Sequence, residues 1–257
     1  MRPTFDFENK VIVVTGSTSG IGAAVARAFA AAGARVMITG RNEERGTAVM
    51  KHLTAGGGEA ALVAGNITDS AFAQQLCASV VDRFQGIDIL VNSAGVIFHA
   101  TAEATSDEQW RATMAVNVDG TFFMSRAVVP VMRERGGGVI VNIASDAGLS
   151  GSPHLVAYCA SKGAVIQLTR AMAIDYAPDG IRVVAVCPGD VDTPMLRGEF
   201  AERGLDAERG LQESAATVPL NRVCTPEEVA DLVLYVASDA ARFMTGATIS
   251  LDGGNRA

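Results

Sequence analysis

The sequence offers almost no material for a metal site or a disulfide framework. Its four cysteines, Cys77, Cys159, Cys187 and Cys224, form no Cys-x-x-Cys pair, and the three histidines do not cluster. Such thiols read as buried and free in a reducing compartment. Aromatic residues are scarce at 5%, and no run of lysine and arginine occurs; the formal net charge is −7. An acidic chain without a basic stripe argues against nucleic acid or an anionic membrane as its partner. No apolar run reaches the length that spans a bilayer, and Met1 to Lys10 contains charges and Pro3 instead of the apolar core of a secretion signal. These absences point to a cytoplasmic protein with a small-molecule partner.

What the chain does have is alternation. Apolar runs at Val11–Val14, Arg35–Thr39, Ala60–Ala64, Ile87–Val91, Val139–Ile143, Ile181–Cys187 and Thr248–Leu251 read as strands. Between them lie helical patterns at Ile21–Ala32, Asn42–Thr54, Ala71–Phe84, Asp107–Arg135, Leu155–Tyr176 and Pro226–Ser238. Continuous apolar strands alternating with helices imply a parallel sheet covered on both faces. No linker or composition break divides residues 1–257, which therefore read as one α/β domain: a doubly wound sheet of about seven strands. The charged, glycine-containing stretch Met195–Val218 fits neither pattern and reads as a lid or substrate loop.

Three local patterns carry chemistry. Thr15-Gly16-Ser17-Thr18-Ser19-Gly20-Ile21-Gly22 follows the first strand and opens the first helix. Its glycines let backbone approach a pyrophosphate, and the helix start supplies N–H donors and positive dipole, so the turn reads as a dinucleotide cradle. At the end of the second strand, where an NAD site carries a carboxylate for the ribose hydroxyls, stands Thr39-Gly40-Arg41-Asn42. Arg41 suits a 2′-phosphate, which favours NADP(H) while leaving NAD(H) open; its plainer reading is a solvated arginine at a charged helix start. Tyr158 and Lys162 stand four apart and share a helix face. An ammonium there favours phenolate and lowers the tyrosine pKa. Ser145 lies thirteen residues upstream, at the end of an apolar strand.

These patterns, with Asn92-Ser93-Ala94-Gly95, Asn117, Pro188-Gly189-Asp190-Val191-Asp192-Thr193-Pro194 and the closing Gly246–Gly254, occur in an order that resembles the short-chain dehydrogenase/reductase family in its compact single-domain form. The resemblance runs nearly end to end and implies a Rossmann fold and NAD(P)(H)-dependent interconversion of a carbonyl and a secondary alcohol. It assigns Tyr158 to proton exchange with the substrate oxygen and Ser145 to holding that oxygen. Lys162 would hold the nicotinamide ribose and lower the Tyr158 pKa, and Asn117 would keep a relay water behind the lysine. Cofactor contacts would come from Gly16, Ser17, Ser19, Gly20, Ile21, Gly22 and Arg41, from Asn66 and Ile67 near adenine, and from Asn92, Ala94 and Gly95. Tyr158 and Lys162, then Pro188, Gly189, Val191 and Thr193, complete the set. No metal is implied.

The sequence departs from the family pattern in places. Ser93 stands where a second Asn is usual, Asn66 where Asp is usual, and Asn221 and Cys224 where glycines are usual. Val96, Ile97, Phe98, His99, Asp146, Ala147, His154, Leu155 and Asp190 flank the catalytic set, and most are apolar, as a hydrophobic ketone requires. A 3-oxoacyl-carrier-protein reductase is an alternative, although Asp175 and Asp179 occupy the helix end where such enzymes carry basic residues. A non-catalytic dinucleotide-binding scaffold is a further alternative. Two long helices suggest a homotetramer.

Overall fold

In a computed structural model, which describes residues 5–257, the chain folds as one α/β unit. Seven strands form a wholly parallel sheet: β1 Val11–Thr15, β2 Arg35–Gly40, β3 Glu59–Ala64, β4 Ile89–Asn92, β5 Gly138–Ile143, β6 Ile181–Pro188 and β7 Thr248–Leu251. Their order is β3-β2-β1-β4-β5-β6-β7. Successive strand residues point to opposite faces, and the two faces bury separate cores. Ile12 and Val14 of β1 pack with Phe29 of helix α1 (Gly20–Ala31) and Val233 of α9 (Pro226–Ala237). Val11 and Val13 pack with Phe84 of α3 (Ser70–Phe84) and Met132 of α5 (Gly120–Glu134). The central strands β1, β4, β5 and β6 are mostly apolar at consecutive positions because neither face meets water there, whereas the edge strands β3 and β7 are partly exposed.

The order reverses between β1 and β4, whose registered pair Thr15 and Asn92 ends both strands on one edge. Crossovers leave in opposite directions there, so the carboxyl ends part into a crevice. Thr15 ties its two sides together: its Oγ1 accepts from the N–H groups of Ser93 and Ala94 at 3.1 and 3.2 Å.

Two elements differ from the sequence expectation. The helix expected from Asp107 to Arg135 is interrupted. It runs as α4 (Asp107–Met114), a π-helical turn over Ala115–Asp119, then α5. A π turn admits an extra residue and turns its side chains, and this one faces Asn117 inward, 1% exposed. The stretch Met195–Val218 is helical: α7 Pro194–Glu202 and α8 Ala207–Thr217. Thr193 caps α7 and Asp206 caps α8 through the N–H groups of Leu196 and Arg209. The two pack through Phe200 on Gly210, where any Cβ would come within 2.3 Å of the ring. Both helices are short and glycine-containing, which hides their periodicity.

Candidate active site

The site lies at the carboxyl ends of β1, β4, β5 and β6, where one continuous cavity of about 800 Å³ runs from Arg41 to Glu199. At one end the turn after β1 opens α1 with Gly16 at φ +64°, a conformation a side chain resists. A Cβ on Gly16 would lie 2.6 Å from the Ala94 Cα, and one on Gly22 would lie 2.4 Å from the Gly16 carbonyl oxygen. The cradle is therefore all backbone, as a pyrophosphate site requires. Gly16, Ser19, Gly20, Ile21 and Gly22 line the cavity there.

Ser17 does not. Its hydroxyl donates to Val14 O at 2.8 Å and accepts from the Thr39 N–H at 2.8 Å, and the residue is fully buried. It stitches β1 to β2 and turns its side chain away from the cleft. Asn92 is also a core residue. Its Nδ2 donates to Ser125 Oγ at 3.1 Å and Asn142 Oδ1 at 2.9 Å, and Asn142 continues to Thr169 Oγ1 at 2.9 Å. This polar ladder ties β4 and β5 to α6 (Val156–Tyr176), fixing the strand ends on which the site stands.

Arg41 and Arg45 line the β2 end together, with Asn42 between them capping helix α2 (Glu43–Ala55) through the Arg45 N–H. Among the described residues neither arginine joins an ion pair, and the only carboxylates lining the cavity, Asp146, Asp190 and Glu199, follow β5 and β6 or stand on α7. Asn66 and Ile67 line the wall after β3; Ala94 and Gly95 line the floor.

Ser145, Tyr158 and Lys162 meet in the middle of the cavity. Ser145 lies two residues past β5 and caps a 3₁₀ turn, Asp146–Gly148; it accepts from the Ala147 N–H at 3.2 Å and donates to Asp146 Oδ1 at 3.1 Å. Tyr158 and Lys162 come from the first two turns of α6. The Lys162 Nζ sits 5.5 Å from the Tyr158 ring centre and donates to Ile143 O at 2.9 Å. Burial pulls the Lys162 amine down to about 8. Burial also pushes the Tyr158 phenol well above the usual tyrosine value, and hydrogen bonding with Ser145 acts against that rise. The expected lowering of Tyr158 by Lys162 is not met in the protein alone: Lys162 is not among the groups that move the phenol, and desolvation sets the direction.

Asn117 stands behind the lysine, but its amide hydrogens are already used. Nδ2 donates to Val96 O at 3.0 Å and Ser161 Oγ at 2.9 Å, while Oδ1 accepts from the Val96 N–H at 2.9 Å. The side chain ties the β4 loop to α6 in place of presenting donors to a water. Ser161, next to Lys162, had no sequence signal of its own.

Pro188, Gly189, Val191 and Thr193 follow β6 along the cavity wall. Val191 bridges to Cys224, with Cys224 N–H donating to Asp190 O at 3.0 Å. That gives Cys224 a structural place, and Asn221 takes the left-handed φ of +53° that explains a glycine preference there. Of the flanking candidates, Val96, Ile97, Asp146, Ala147, Leu155 and Asp190 line the cavity; Phe98, His99 and His154 do not. His99 reaches instead to Glu199 of α7, at 2.5 Å, joining the loop after β4 to α7. Burial raises the Glu199 carboxyl pKa, and His99 opposes the rise. The sequence reading missed Glu199 and the tail residues Asn255 and Arg256, which also line the cavity.

A family model described as enoyl-(acyl carrier protein) reductase matches residues 16–256. A solved structure from Brucella melitensis, a short-chain dehydrogenase/reductase of the glucose/ribitol dehydrogenase kind, superposes with a TM-score of 0.90 at 33% identity, covering 99% of this chain and all of that one. The chain belongs to the short-chain dehydrogenase/reductase family. It is accordingly an oxidoreductase of the family that acts on CH–OH groups with NAD(P). An uncharacterized oxidoreductase of Thermotoga maritima is 41% identical over 98% of this chain and 99% of its own length. A 3β-hydroxysteroid dehydrogenase of Mediterraneibacter gnavus is 39% identical over 96% and 95%. The family's seven-stranded parallel sheet is the one described above. Among the described residues no helix is long and apolar enough to cross a membrane.

Proposed function

We propose that this enzyme interconverts a ketone and a secondary alcohol with NADP(H), using Tyr158 as the proton donor and acceptor. The observation that carries the reading is the convergence of Ser145, Tyr158 and Lys162 midway along a cavity whose far end holds two arginines and no carboxylate. Backbone at Gly16 and Gly22, too close to its neighbours for any Cβ, fits the pyrophosphate of such a cofactor. Arg41 and Arg45 would hold its 2′-phosphate, and Lys162 its nicotinamide ribose. Bound NADP(H) supplies or takes up the hydride.

The protein's own part is to hold the substrate oxygen and move its proton. Ser145 holds the oxygen and stabilises the charge that develops on it. A Tyr158 phenol raised by burial is protonated at neutral pH, which suits donation to a forming alkoxide. Oxidation of the alcohol requires the phenolate, so that direction gains as pH rises. Lys162, with its amine near 8, is the group that can exchange charge beside the phenol. Asn117 acts as a positioning residue, through Ser161 and Val96.

The assembly proposed is a homotetramer. Phe122 of α5 and Ile174 of α6 lie exposed on the outer helical layer, and Phe243 lies exposed before β7. The reaction reading is tested by following NAD(P)H absorbance across ketones, sugars, steroids and 3-oxoacyl thioesters with both cofactors. Turnover of none of them overturns it.

A further inference from the structure

Glu199 is a polar group in the cavity that proton exchange at Tyr158 does not use. It shares a face of α7 with Leu196, one turn earlier, and both line the cavity. The helix that carries it is fixed at two points: Thr193 caps its start, and Phe200 packs on Gly210 of α8. The carboxylate is fixed as well, because Oε2 meets the His99 Nε2 at 2.5 Å. His99 is not itself a lining residue. Among the described residues nothing donates to the other oxygen, Oε1, although the side chain is only 16% exposed. Glu199 also stands close enough to Tyr158 for its charge to act on the phenol.

We propose that Glu199 sets substrate specificity: its Oε1 accepts a hydrogen bond from a second hydroxyl of the substrate, so the enzyme prefers a diol or hydroxyketone to a simple alcohol or ketone. The inference rests on the reading of Tyr158 as the group that exchanges the substrate proton. With the reacting oxygen at Tyr158, the carbon skeleton meets Val96, Ile97, Leu155, Met195 and Leu196, whose side chains enclose carbon and satisfy no hydroxyl. Other polar side chains of the lining are engaged or open to solvent. Asn255 and Arg256 donate to Asp146 Oδ2 at 3.0 and 3.3 Å, Ser152 Oγ accepts from Arg256 at 2.8 Å, and Asp190 is exposed. The contact between His99 and Oε2 needs a proton between its two atoms, which already meets part of the carboxylate charge. A neutral O–H therefore suits the oxygen that remains. A substrate without that hydroxyl leaves Oε1 facing carbon, and a site built to bond a hydroxyl rejects the analogue that lacks it. No proton or hydride passes through Glu199; it acts by recognition alone.

The test uses the full-length enzyme and two matched pairs, butane-2,3-diol against butan-2-ol and cyclohexane-1,2-diol against cyclohexanol, read by NAD(P)H formation. The parent is expected to show a kcat/KM about tenfold or more higher for each diol, the size of one hydrogen bond to a charged acceptor. In Glu199→Ala that advantage should fall to within about twofold. His99→Ala removes the tether and leaves the carboxylate, so the advantage should survive there whatever happens to the rates themselves. A role confined to holding α7 would instead move both members of a pair together in both variants. Equal kcat/KM within each pair of the parent, or an advantage that Glu199→Ala keeps, overturns the inference. So does a preference for 3-aminobutan-2-ol over the butanediol, which would make the oxygen a cation site. If the melting curve shows that Glu199→Ala does not fold, Glu199→Gln decides. Its neutral acceptor should cut the advantage about threefold or more, and an unchanged advantage overturns the inference. If both pairs are silent while another compound of the wider panel turns over, that compound and its form lacking one hydroxyl take their place; a best substrate with no second hydroxyl overturns the inference. Turnover of nothing in the panel ends the reaction reading itself, which is a different result from a lost preference.

Discussion

The Asn117 side chain grips the backbone of Val96 from both directions: Nδ2 donates to Val96 O at 3.0 Å, and the Val96 N–H donates to Oδ1 at 2.9 Å. A side-chain amide so placed mimics a neighbouring strand and holds the loop after β4 against the π turn. Asn117→Ala leaves the part-buried N–H and carbonyl of Val96, and the buried Ser161 hydroxyl, without this partner. Unsatisfied buried groups cost about 1–3 kcal/mol each. The variant should melt several degrees lower and lose kcat; an unchanged melting temperature would remove Asn117 from this structural role.

Tyr158→Phe deletes only the phenol oxygen. Loss of a positioned proton donor is expected to slow hydride transfer about 10²- to 10⁴-fold. Titration with NADPH should still saturate at a similar concentration, because the Gly16–Gly22 cradle and Lys162 are untouched. Retained turnover sinks the proposed role.

Arg41→Ala should raise the Michaelis constant for NADPH about tenfold or more, the size of one lost charge-assisted hydrogen bond. The constant for NADH should barely move. Arg45→Ala is expected to show the same direction, and the double variant to lose the preference. Equal effects on both cofactors make the arginines bystanders.

Lys162 links the site to stability. Its amine, held near 8 by burial, loses its proton in the folded chain before the unfolded one does, since the unfolded value is near 10.5. Between those values the unfolded state binds more protons, so this residue's contribution to stability rises with pH. Below 8 the buried ammonium costs roughly 3 kcal/mol. Lys162→Met should therefore be more stable than the parent at pH 7 without cofactor, with the gap closing as pH rises past 8. Urea unfolding of both proteins across that range measures the difference, in which the buried thiols cancel.

Light scattering at micromolar concentration is expected to give a mass four times that of the 26.6 kDa chain. Ile174→Asp, placing charge on an exposed apolar position of α6, should shift that mass downward. A monomeric parent overturns the proposed assembly.

The central strands were legible because they are mostly apolar at consecutive positions, a pattern a sheet buried on both faces sustains; β7, Thr248–Leu251, alternates instead. The glycine turn, Ser145 and the Tyr158–Lys162 pair were legible because their spacing is local or tied to a strand end. Ser17 and Asn92 were assigned to the cofactor because they sit inside cofactor-binding motifs, yet their side chains close the core beneath the cleft. Sequence position does not report which way a side chain turns at a strand end. The π turn was hidden because Asp107–Arg135 keeps its helical periodicity on both sides of Asn117. Helices α7 and α8 were hidden because Gly198 and Gly210 sit inside them and Gly204 between them.

The sequence by itself determined the parallel sheet and the chemistry of the reacting oxygen's neighbours, since these follow from short-range patterns of apolar residues, glycine and a helical i, i+4 pair. The tertiary structure alone decided what surrounds them. It brought Asn255 and Arg256 to Asp146, more than a hundred residues away, and set Glu199 against His99. It also reversed the expected direction for the Tyr158 phenol, because burial is a property of everything packed around a group and is written at no single position in the chain.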